Sequence, residues 1–279
     1  MTIHSTSQTL SASISDKAFA PDVPLHENLR RIRAAGFTHL HLAHKWTKPE
    51  AFTEAEETEW TRALSENGIQ VLDVHGCHCK GVNLYYGSDE EKQRAMDLFV
   101  HRMRLTQRLG GNAMVYHVPS KGPIEEGQIE DLLEALRRVE DLSRELGVTI
   151  ALENHYLLDN DRRTFSAAFE TFDADFVGFT FDPGHALISG NTEWLLKHCV
   201  SRLQILHLND NDTVKDLHWC PLDPEGNADW PAIMRFVSES PYTKPLQLEV
   251  SWTPDHHGSH ETFLAEAFTA ARTLNDMCG

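Results

Sequence analysis

Carboxylate and imidazole side chains follow four apolar stretches in the second half of the chain. Glu153 ends VTIALE, Asp182 and His185 follow VGFTF, His207 ends LQILH, and Glu249 lies in LQLEV. Carboxylate oxygens and imidazole nitrogens together suit a divalent ion such as Mn²⁺, Zn²⁺, Co²⁺ or Mg²⁺. An isolated buried carboxylate is costly unless it is paired, protonated or bound to a cation. We therefore predict a metal site made of Glu153, Asp182, His207 and Glu249.

The elements that must position these residues alternate between strand and helix. Apolar, β-rich stretches alternate with amphipathic segments of helical period along the chain. This alternation implies parallel βαβ units, and eight repeats favour an α/β fold of the (β/α)8 TIM barrel type. An open doubly wound sheet is the alternative, but its glycine-rich G-x-G-x-x-G turn is absent from the sequence. The predicted strands are Thr9–Ser15, Thr38–Ala43, Gln70–His75, Ala113–His117, Thr149–Glu153, Val177–Asp182, Leu203–His207 and Leu246–Val250.

Three helices have clear sequence signals. Ser88 and Glu91 form an S-x-x-E capping box at the start of one helix, which is expected to stop at Gly110-Gly111. A second amphipathic helix is predicted from Ile129 to Leu146, and a last one from about Glu261 to Met277. The length of 279 residues and the 41 % hydrophobic content fit a single TIM-barrel domain over residues 1–279. Its residues 1–8, approximately, are expected to be a short flexible N-terminus.

The net charge of the chain narrows the range of partners that it is expected to bind. Lys and Arg total 25 and Asp and Glu total 42, so the formal net charge of -17 repels the phosphates of nucleic acid and of anionic membranes. No stretch reaches the ~18 apolar residues that a membrane span needs, and the N-terminus lacks a signal-peptide layout. A cytoplasmic enzyme is expected. The five cysteines do not suggest a disulfide framework, and we interpret Cys77 and Cys79 as ordinary thiols near a loop.

Further candidates lie near the ends of other predicted strands. His75 and His117 end two strands, and Asp216 and His218 lie in the long segment 209–229 that follows the seventh strand. Singly, a strand-end histidine is more often a hydrogen-bonded structural residue than a ligand. Aromatic rings such as that of Trp46 can pack against the C–H faces of sugars. The candidates for substrate binding are His75, His117, His185, His218 and Trp46, and those for additional metal binding are His75, His117, His185, Asp216 and His218.

Five motifs together resemble the xylose-isomerase-like barrel superfamily. This resemblance covers about Ser11 to Leu274, and the group contains sugar isomerases and epimerases, inosose dehydratases, hydroxypyruvate isomerases and the endonuclease IV branch. It implies one catalytic metal held by the four predicted ligands, with His185 touching the substrate. It also implies that Glu153 and Glu249 exchange a proton with the carbon next to a carbonyl. The motifs are Glu153-Asn154, Asp182-Pro183-Gly184-His185, His207-Leu208-Asn209-Asp210, Asp216-Leu217-His218 and Leu248-Glu249.

The function that this pattern predicts is a metal-dependent sugar or polyol isomerase or epimerase. It would act through proton transfer and a metal-stabilised enediolate. Three carboxylates and one histidine form an oxygen-rich site that favours Mn²⁺, while Zn²⁺, Co²⁺ and Mg²⁺ remain alternatives. The segment 210–218 carries Lys215 where many epimerases of the group carry an arginine, so the substrate stays open. The expected partner is a small sugar or polyol, and assembly into a homo-oligomer is left open.

Three alternatives differ in reaction class. A dehydratase of a keto-polyol such as an inosose uses the same enediolate to expel a β-hydroxyl. An endonuclease IV-like zinc phosphodiesterase is suggested by the five additional metal candidates, which resemble the extra ligands by which that enzyme holds three zinc ions. The net charge disfavours a DNA substrate. A non-catalytic carbohydrate-binding barrel is disfavoured because both glutamates needed for proton transfer are present.

Overall fold

Eight parallel strands form one barrel in the computed structural model, which describes residues 11–79 and 81–278. Their order around the barrel is β7-β6-β5-β4-β3-β2-β1-β8, so each strand lies beside its neighbours in the chain and β8 pairs with β1. The start predicted for the first strand, at Thr9, lies outside the described residues. The strands are β1 Ala12–Ser15, β2 His39–Leu42, β3 Gln70–His75, β4 Ala113–His117, β5 Thr149–Glu153, β6 Val177–Phe181, β7 Leu203–Leu206 and β8 Leu246–Leu248.

The ring closes just beyond the end of β7. The amide of Leu208 donates to the carbonyl of Gln247 at 3.0 Å, and the amide of Glu249 donates to the carbonyl of Leu208 at 3.1 Å. The prediction of a single (β/α)8 TIM barrel is therefore confirmed. Strands β3, β4 and β5 have the predicted bounds, β2, β6, β7 and β8 are shorter by one or two residues, and β1 ends at the predicted Ser15. The extent of the domain over residues 1–279 stays a prediction, and the expected flexible N-terminus lies outside the described residues.

Helices surround the barrel, and one of the three helix predictions needs correction. The capping box of Ser88 is confirmed, since Ser88 Oγ accepts from the Glu91 amide at 3.2 Å, and this helix ends at Arg108, with Leu109 as its C-terminal cap directly before Gly110-Gly111. The predicted helix Ile129–Leu146 is two helices, because the backbone of Val139 leaves helical geometry with φ -114° and ψ 2°. The helices are α1 Leu25–Ala35, α2 Glu54–Asn67, α3 Asp89–Arg108, α4 Glu126–Arg137, α5 Glu140–Leu146, α6 Leu158–Thr171, α7 Pro183–Ser189, α8 Thr192–His198, α9 Trp230–Glu239, α10 Pro254–His257 and α11 His260–Met277.

The barrel interior changes character along each strand. Successive side chains of a strand point to opposite faces, so residues two apart share a face. An apolar cluster that includes Val115, Ala151 and Ile205 fills the interior, and the residues two positions further along β4, β5 and the end of β7 are His117, Glu153 and His207. The two-residue period of the strands thus places apolar side chains in the middle of the barrel interior and polar side chains at the carboxyl ends of the strands. Among the described residues, none of the helices has the length and apolar character to cross a membrane.

Candidate metal centre and active site

The ends of β5 to β8 bring the four predicted metal ligands together. Glu153, Asp182, His207 and Glu249 are all buried, and one ligand atom of each lies within 4.8 Å of those of the others. His207 Nδ1 is 2.8 Å from Glu153 Oε1 and 3.3 Å from Glu249 Oε2. These four residues form a candidate metal-binding group, called the four-ligand group below.

The Asp182-Pro183-Gly184-His185 turn fixes one of these carboxylates. Asp182 caps α7, and its Oδ1 accepts a hydrogen bond from the His185 amide at 2.8 Å. Asn209 Nδ2 donates to Asp182 Oδ2 at 2.9 Å, which holds the second oxygen. A Cβ atom on Gly184 would lie 2.0 Å from Asn209 Oδ1, so this close approach requires glycine. The carboxylate is therefore oriented by the turn before any ligand binds.

The electrostatics of the four-ligand group favour a cation. Burial raises the pKa of Asp182 to about 6, and the carboxylates of Glu153 and Glu249 add to that rise against the opposing effect of His185. Burial alone would lower the pKa of His207, but the same two glutamates raise it well above its usual value. Glu153 Oε2 is buried without a well-aligned hydrogen-bond donor. Crowded carboxylates with an unsatisfied oxygen fit a divalent ion, which would relieve their repulsion.

Two predicted histidines join Glu153 in a second group. His117 Nε2 lies 3.0 Å and His75 Nε2 3.5 Å from Glu153 Oε2, and ligand atoms of the three residues lie within 4.8 Å of one another. His75 Nδ1 is 2.8 Å from the carbonyl of Gly76, so it donates there and leaves Nε2 free to act as a ligand. The ring of Trp46 lies 4.6 Å from that of His75, between centroids. These residues line one flank of the mouth.

The remaining predicted residues gather around Asp216. Asp216 Oδ2 is 3.0 Å from His218 Nε2 and 3.5 Å from His185 Nε2, and it accepts a hydrogen bond from Tyr156 at 2.8 Å. The rings of His185 and His218 are 6.4 Å apart between centroids. The structure thus brings all the predicted candidates to one face, but these three are more widely spaced than the two other groups.

Three site residues were not predicted from the sequence. Lys17, just after β1, has its Nζ 2.9 Å from Glu249 Oε1. His41 Nε2 is 3.7 Å from the same oxygen, and its Nδ1 lies 2.5 Å from Asp73 Oδ2. The sequence does contain a signal for each of them. Asp73 is an aspartate within the apolar stretch QVLDVH, His41 is one of the alternating histidines in HLHL, and Lys17 belongs to the polar Asp16-Lys17 pair that follows the first strand.

The cysteines play no visible part in the four-ligand group. All five are free thiols, and Cys77 and Cys79 lie in the segment that follows β3. The segment after β7 is organised by Asp210 instead, whose Oδ1 accepts from the Asn227 amide at 2.7 Å and whose Oδ2 accepts from the Trp230 indole at 2.9 Å. The predicted long loop at residues 209–229 is therefore held in place over the site.

Several known proteins are similar to this chain in sequence or in structure. The Uncharacterized protein y4fM of Sinorhizobium fredii is 28 % identical over 285 residues, which cover 92 % of this chain and 90 % of that protein. The 3-keto-D-glucoside 4-epimerase of E. coli superposes with a TM-score of 0.73 at 16 % identity, covering 95 % of this chain and 99 % of that one. The IOLI protein, solved with a bound zinc atom, gives 0.75 at 16 % identity, covering 95 % and 98 %.

The family itself is established by a match that spans most of the chain. Residues 29–270 match the xylose isomerase-like TIM barrel family, and this stretch includes all four residues of the four-ligand group. The resemblance inferred from the five sequence motifs is thereby confirmed. The chain belongs to the xylose isomerase-like TIM barrel family.

Proposed function

We propose that this protein is a divalent-metal-dependent isomerase or epimerase of a sugar or polyol. The observation that carries the proposal is the pair of buried glutamates, Glu153 and Glu249, whose oxygens lie 2.8 and 3.3 Å from the same nitrogen of His207. Two carboxylates at one metal site can remove and return a proton on the same substrate carbon. The likeness to a 3-keto-D-glucoside 4-epimerase supports a carbohydrate substrate.

The metal would be held by the four-ligand group. Its oxygen-rich composition favours Mn²⁺, whereas participation of His75 and His117 would favour Zn²⁺, the ion bound by the IOLI protein. A bound divalent ion supplies Lewis acidity, which polarises a carbonyl oxygen and makes the adjacent C–H more acidic. His185, His218 and Trp46 would contact the substrate at the mouth of the barrel.

The two glutamates differ in what surrounds them, and this suggests separate roles. Burial would raise the pKa of Glu249, but His207 and Lys17 lower it well below its usual value. We assign Glu249 as the base that takes the proton, because the Lys17 ammonium keeps it ionised. Glu153 lies beside His117 at 3.0 Å, and this imidazole can supply the proton that Glu153 returns.

The test combines metal analysis with isotope exchange. The purified protein is analysed for bound metal, reloaded with Mn²⁺, Co²⁺ or Zn²⁺, and incubated in D₂O with a panel of ketoses, keto-polyols and their epimers. Exchange of hydrogen for deuterium at a carbon next to a carbonyl supports the proposal. Net loss of water from a keto-polyol would instead identify a dehydratase. Binding of sugars without exchange would indicate a carbohydrate-binding barrel, and failure to bind any metal would overturn the proposal.

A second candidate is a phosphodiesterase of the endonuclease IV type. The observation in its favour is the His75, His117 and Glu153 group, which shares Glu153 with the four-ligand group. Two metal ions at such adjacent sites can stabilise both oxygens of a phosphoryl displacement. The net charge of -17 argues against DNA as the substrate. Cleavage of abasic-site DNA, with no exchange on any sugar, would establish this candidate in place of the first.

We also propose that the protein is located in the cytoplasm.

A further inference from the structure

A buried carboxylate lies inside the barrel, one step before the candidate metal centre. Asp73 is fully buried in β3, two residues before His75, so the two side chains share the inward face of the strand. An aspartate is almost never fully buried unless it is paired. An apolar side chain would fill this position without the cost of burying a charge, so the partners of the carboxylate indicate what it does.

The partners of Asp73 come from three other strands. Its Oδ2 lies 2.5 Å from Nδ1 of His41 on β2 and 3.9 Å from Nε2 of His207 at the end of β7. With its amide oriented to satisfy both neighbours, Gln247 on β8 donates to Asp73 Oδ1 at 3.2 Å and to the carbonyl of Leu206 at 3.0 Å. Asp73 therefore links β2, β3, β7 and β8 within the barrel interior.

The contact with His207 lies behind the nitrogen that faces the other ligands. His207 Nδ1 faces Glu153 and Glu249, whereas its Nε2 is buried without a hydrogen-bond partner among the described residues. An imidazole that binds a metal through Nδ1 carries a hydrogen on Nε2, and metal-ligating histidines commonly direct this N–H at a carboxylate. Asp73 is the carboxylate in that position. At 3.9 Å the interaction is longer than a hydrogen bond, but in this buried place it is weakly screened.

His41 adds a packing contact to this arrangement. Its ring lies 4.5 Å from that of His207 and 5.7 Å from that of His75, between centroids. Because Nδ1 of His41 is tied to Asp73, rotation of the His41 ring would break that short contact. Asp73 thus fixes one imidazole against the metal-facing ring and places its own charge behind the same ring.

Asp161 shows what a buried aspartate with a purely structural role looks like in this chain. It is also fully buried, but its Oδ1 accepts from the backbone amide of His155 at 3.0 Å and its Oδ2 from the side-chain amide of Asn191 at 3.3 Å. These contacts hold a loop and a helix together. The contacts of Asp73 instead include two imidazoles, one of which belongs to the four-ligand group.

We propose that Asp73 is a positioning residue of the metal centre, which orients His207 directly and through His41 and so strengthens the binding of the divalent ion. This inference rests on the metal binding proposed above. It assigns part of the metal affinity to a carboxylate that does not touch the ion.

Measuring metal affinity in carboxamide variants tests the inference. D73N, Q247L and D161N are made in the H117A background, so that the second group contributes little, and are compared with H117A itself. Co²⁺ affinity is measured by competition with a chelating dye, and the visible absorption spectrum of the Co²⁺ form records the ligand geometry. D73N keeps the shape of the side chain and removes its charge, and D161N is the matched buried control. Circular dichroism checks that each variant is folded.

We expect D73N to bind Co²⁺ about 10- to 100-fold more weakly than its parent, with a shifted absorption spectrum. Q247L removes one hydrogen bond to Asp73, so it should weaken binding by roughly 5-fold. D161N should match the parent in both measurements. Equal affinity and spectrum in D73N and the parent would overturn the inference, as would an equal loss in D161N. If D73N does not fold, parental affinity in Q247L would overturn it.

Isotope exchange by the wild type separates this inference from the isomerase proposal. Weaker Co²⁺ binding in D73N, with no exchange on any sugar by the wild type, would leave the role of Asp73 standing and remove the isomerase. Exchange by the wild type, with parental Co²⁺ affinity in D73N, would do the reverse.

Discussion

The two flanks of the metal centre surround equivalent glutamates with different charges. On the imidazole flank, formed by His75 and His117, Glu153 meets rings that can bind a metal or carry a proton. On the ammonium flank, formed by Lys17 and His218, Glu249 meets a permanent positive charge at 2.9 Å. Neighbouring side chains on other strands can thus make two carboxylates on one barrel face chemically different. The imidazole flank can bind an ion or a proton, whereas on the ammonium flank the Lys17 ammonium already provides a positive charge.

Removing the charge of either glutamate should have the largest effect. E153Q and E249Q should each lower the rate of isotope exchange by roughly 10²–10⁴-fold, because an amide cannot take a proton from carbon. Exchange is followed by nuclear magnetic resonance with Mn²⁺-loaded protein. E126Q on the surface, where Glu126 pairs with Arg163, should behave as the wild type. Full exchange in E249Q would show that Glu249 is not the base.

Weakening the imidazole flank should change metal affinity. H117A removes a ligand of the second group, so we expect that group to bind Zn²⁺ or Co²⁺ about 10- to 100-fold more weakly, by analogy with losses at metal sites. Competition titration against a chelating dye measures the change. H78A is the matched control, since the His78 ring lies 5.0 Å from that of His117 but is not part of the second group. Equal affinities in H117A and H78A would contradict a second metal site.

A buried carboxyl behind the imidazole flank should make stability depend on pH. Burial raises the pKa of Asp161 to about 7, although the hydrogen bond from the His155 amide opposes the rise. A raised pKa in the folded state means that the stabilising contribution is present at pH 4 and is lost as the pH rises through 7. The stability of the wild type relative to D161N should therefore fall between pH 4 and 8, by at most about 4 kcal/mol.

Denaturant unfolding of both proteins at several pH values measures this difference. D159N, an exposed change on the same helix, controls for the loss of one negative charge. If the wild type and D161N differ by the same amount at pH 5 and pH 8, the carboxyl of Asp161 does not titrate as described.

The smallest effect is expected from the hydrogen bond between Tyr156 and Asp216. Y156F removes the hydroxyl that donates to Asp216 Oδ2 at 2.8 Å, at the outer edge of the ammonium flank. A single hydrogen bond contributes about 1 kcal/mol, so kcat/KM should fall by roughly 5-fold with little change in metal content. Steady-state kinetics on the substrate found by exchange measures it. A loss as large as that of E249Q would mean that Tyr156 acts on the substrate directly.

The barrel and its four-ligand group could be predicted because both follow from strand ends. In a parallel barrel, every strand delivers its last inward residue to the same face, so Glu153, Asp182, His207 and Glu249 could be found without knowing the packing. The glutamate in VTIALE is informative because a carboxylate directly after buried apolar residues needs a compensating charge. The same logic placed His75 and His117 at the mouth.

Lys17, His41 and Asp73 were missed because their roles depend on register and on a turn. His41 pairs with Asp73 across β2 and β3 only after a shift in register between Leu40 and His41. Lys17 follows its strand by two residues and reaches the site through the 3-10 turn at Asp16–Ala18. The break of the predicted helix at Val139 was also hidden, because neither glycine nor proline marks it.

The seam between β7 and β8 has a consequence for how the protein unfolds. The two backbone hydrogen bonds that close the ring are made by Leu208, the residue after His207, and one of them comes from the amide of Glu249. Opening the barrel there separates two of the four ligands. A ligand that binds only the closed form stabilises that form, so a divalent ion held by His207 and Glu249 should stabilise the closed barrel against opening between β7 and β8. Amide hydrogen exchange at Leu208 and Glu249 should then report metal loading without any substrate.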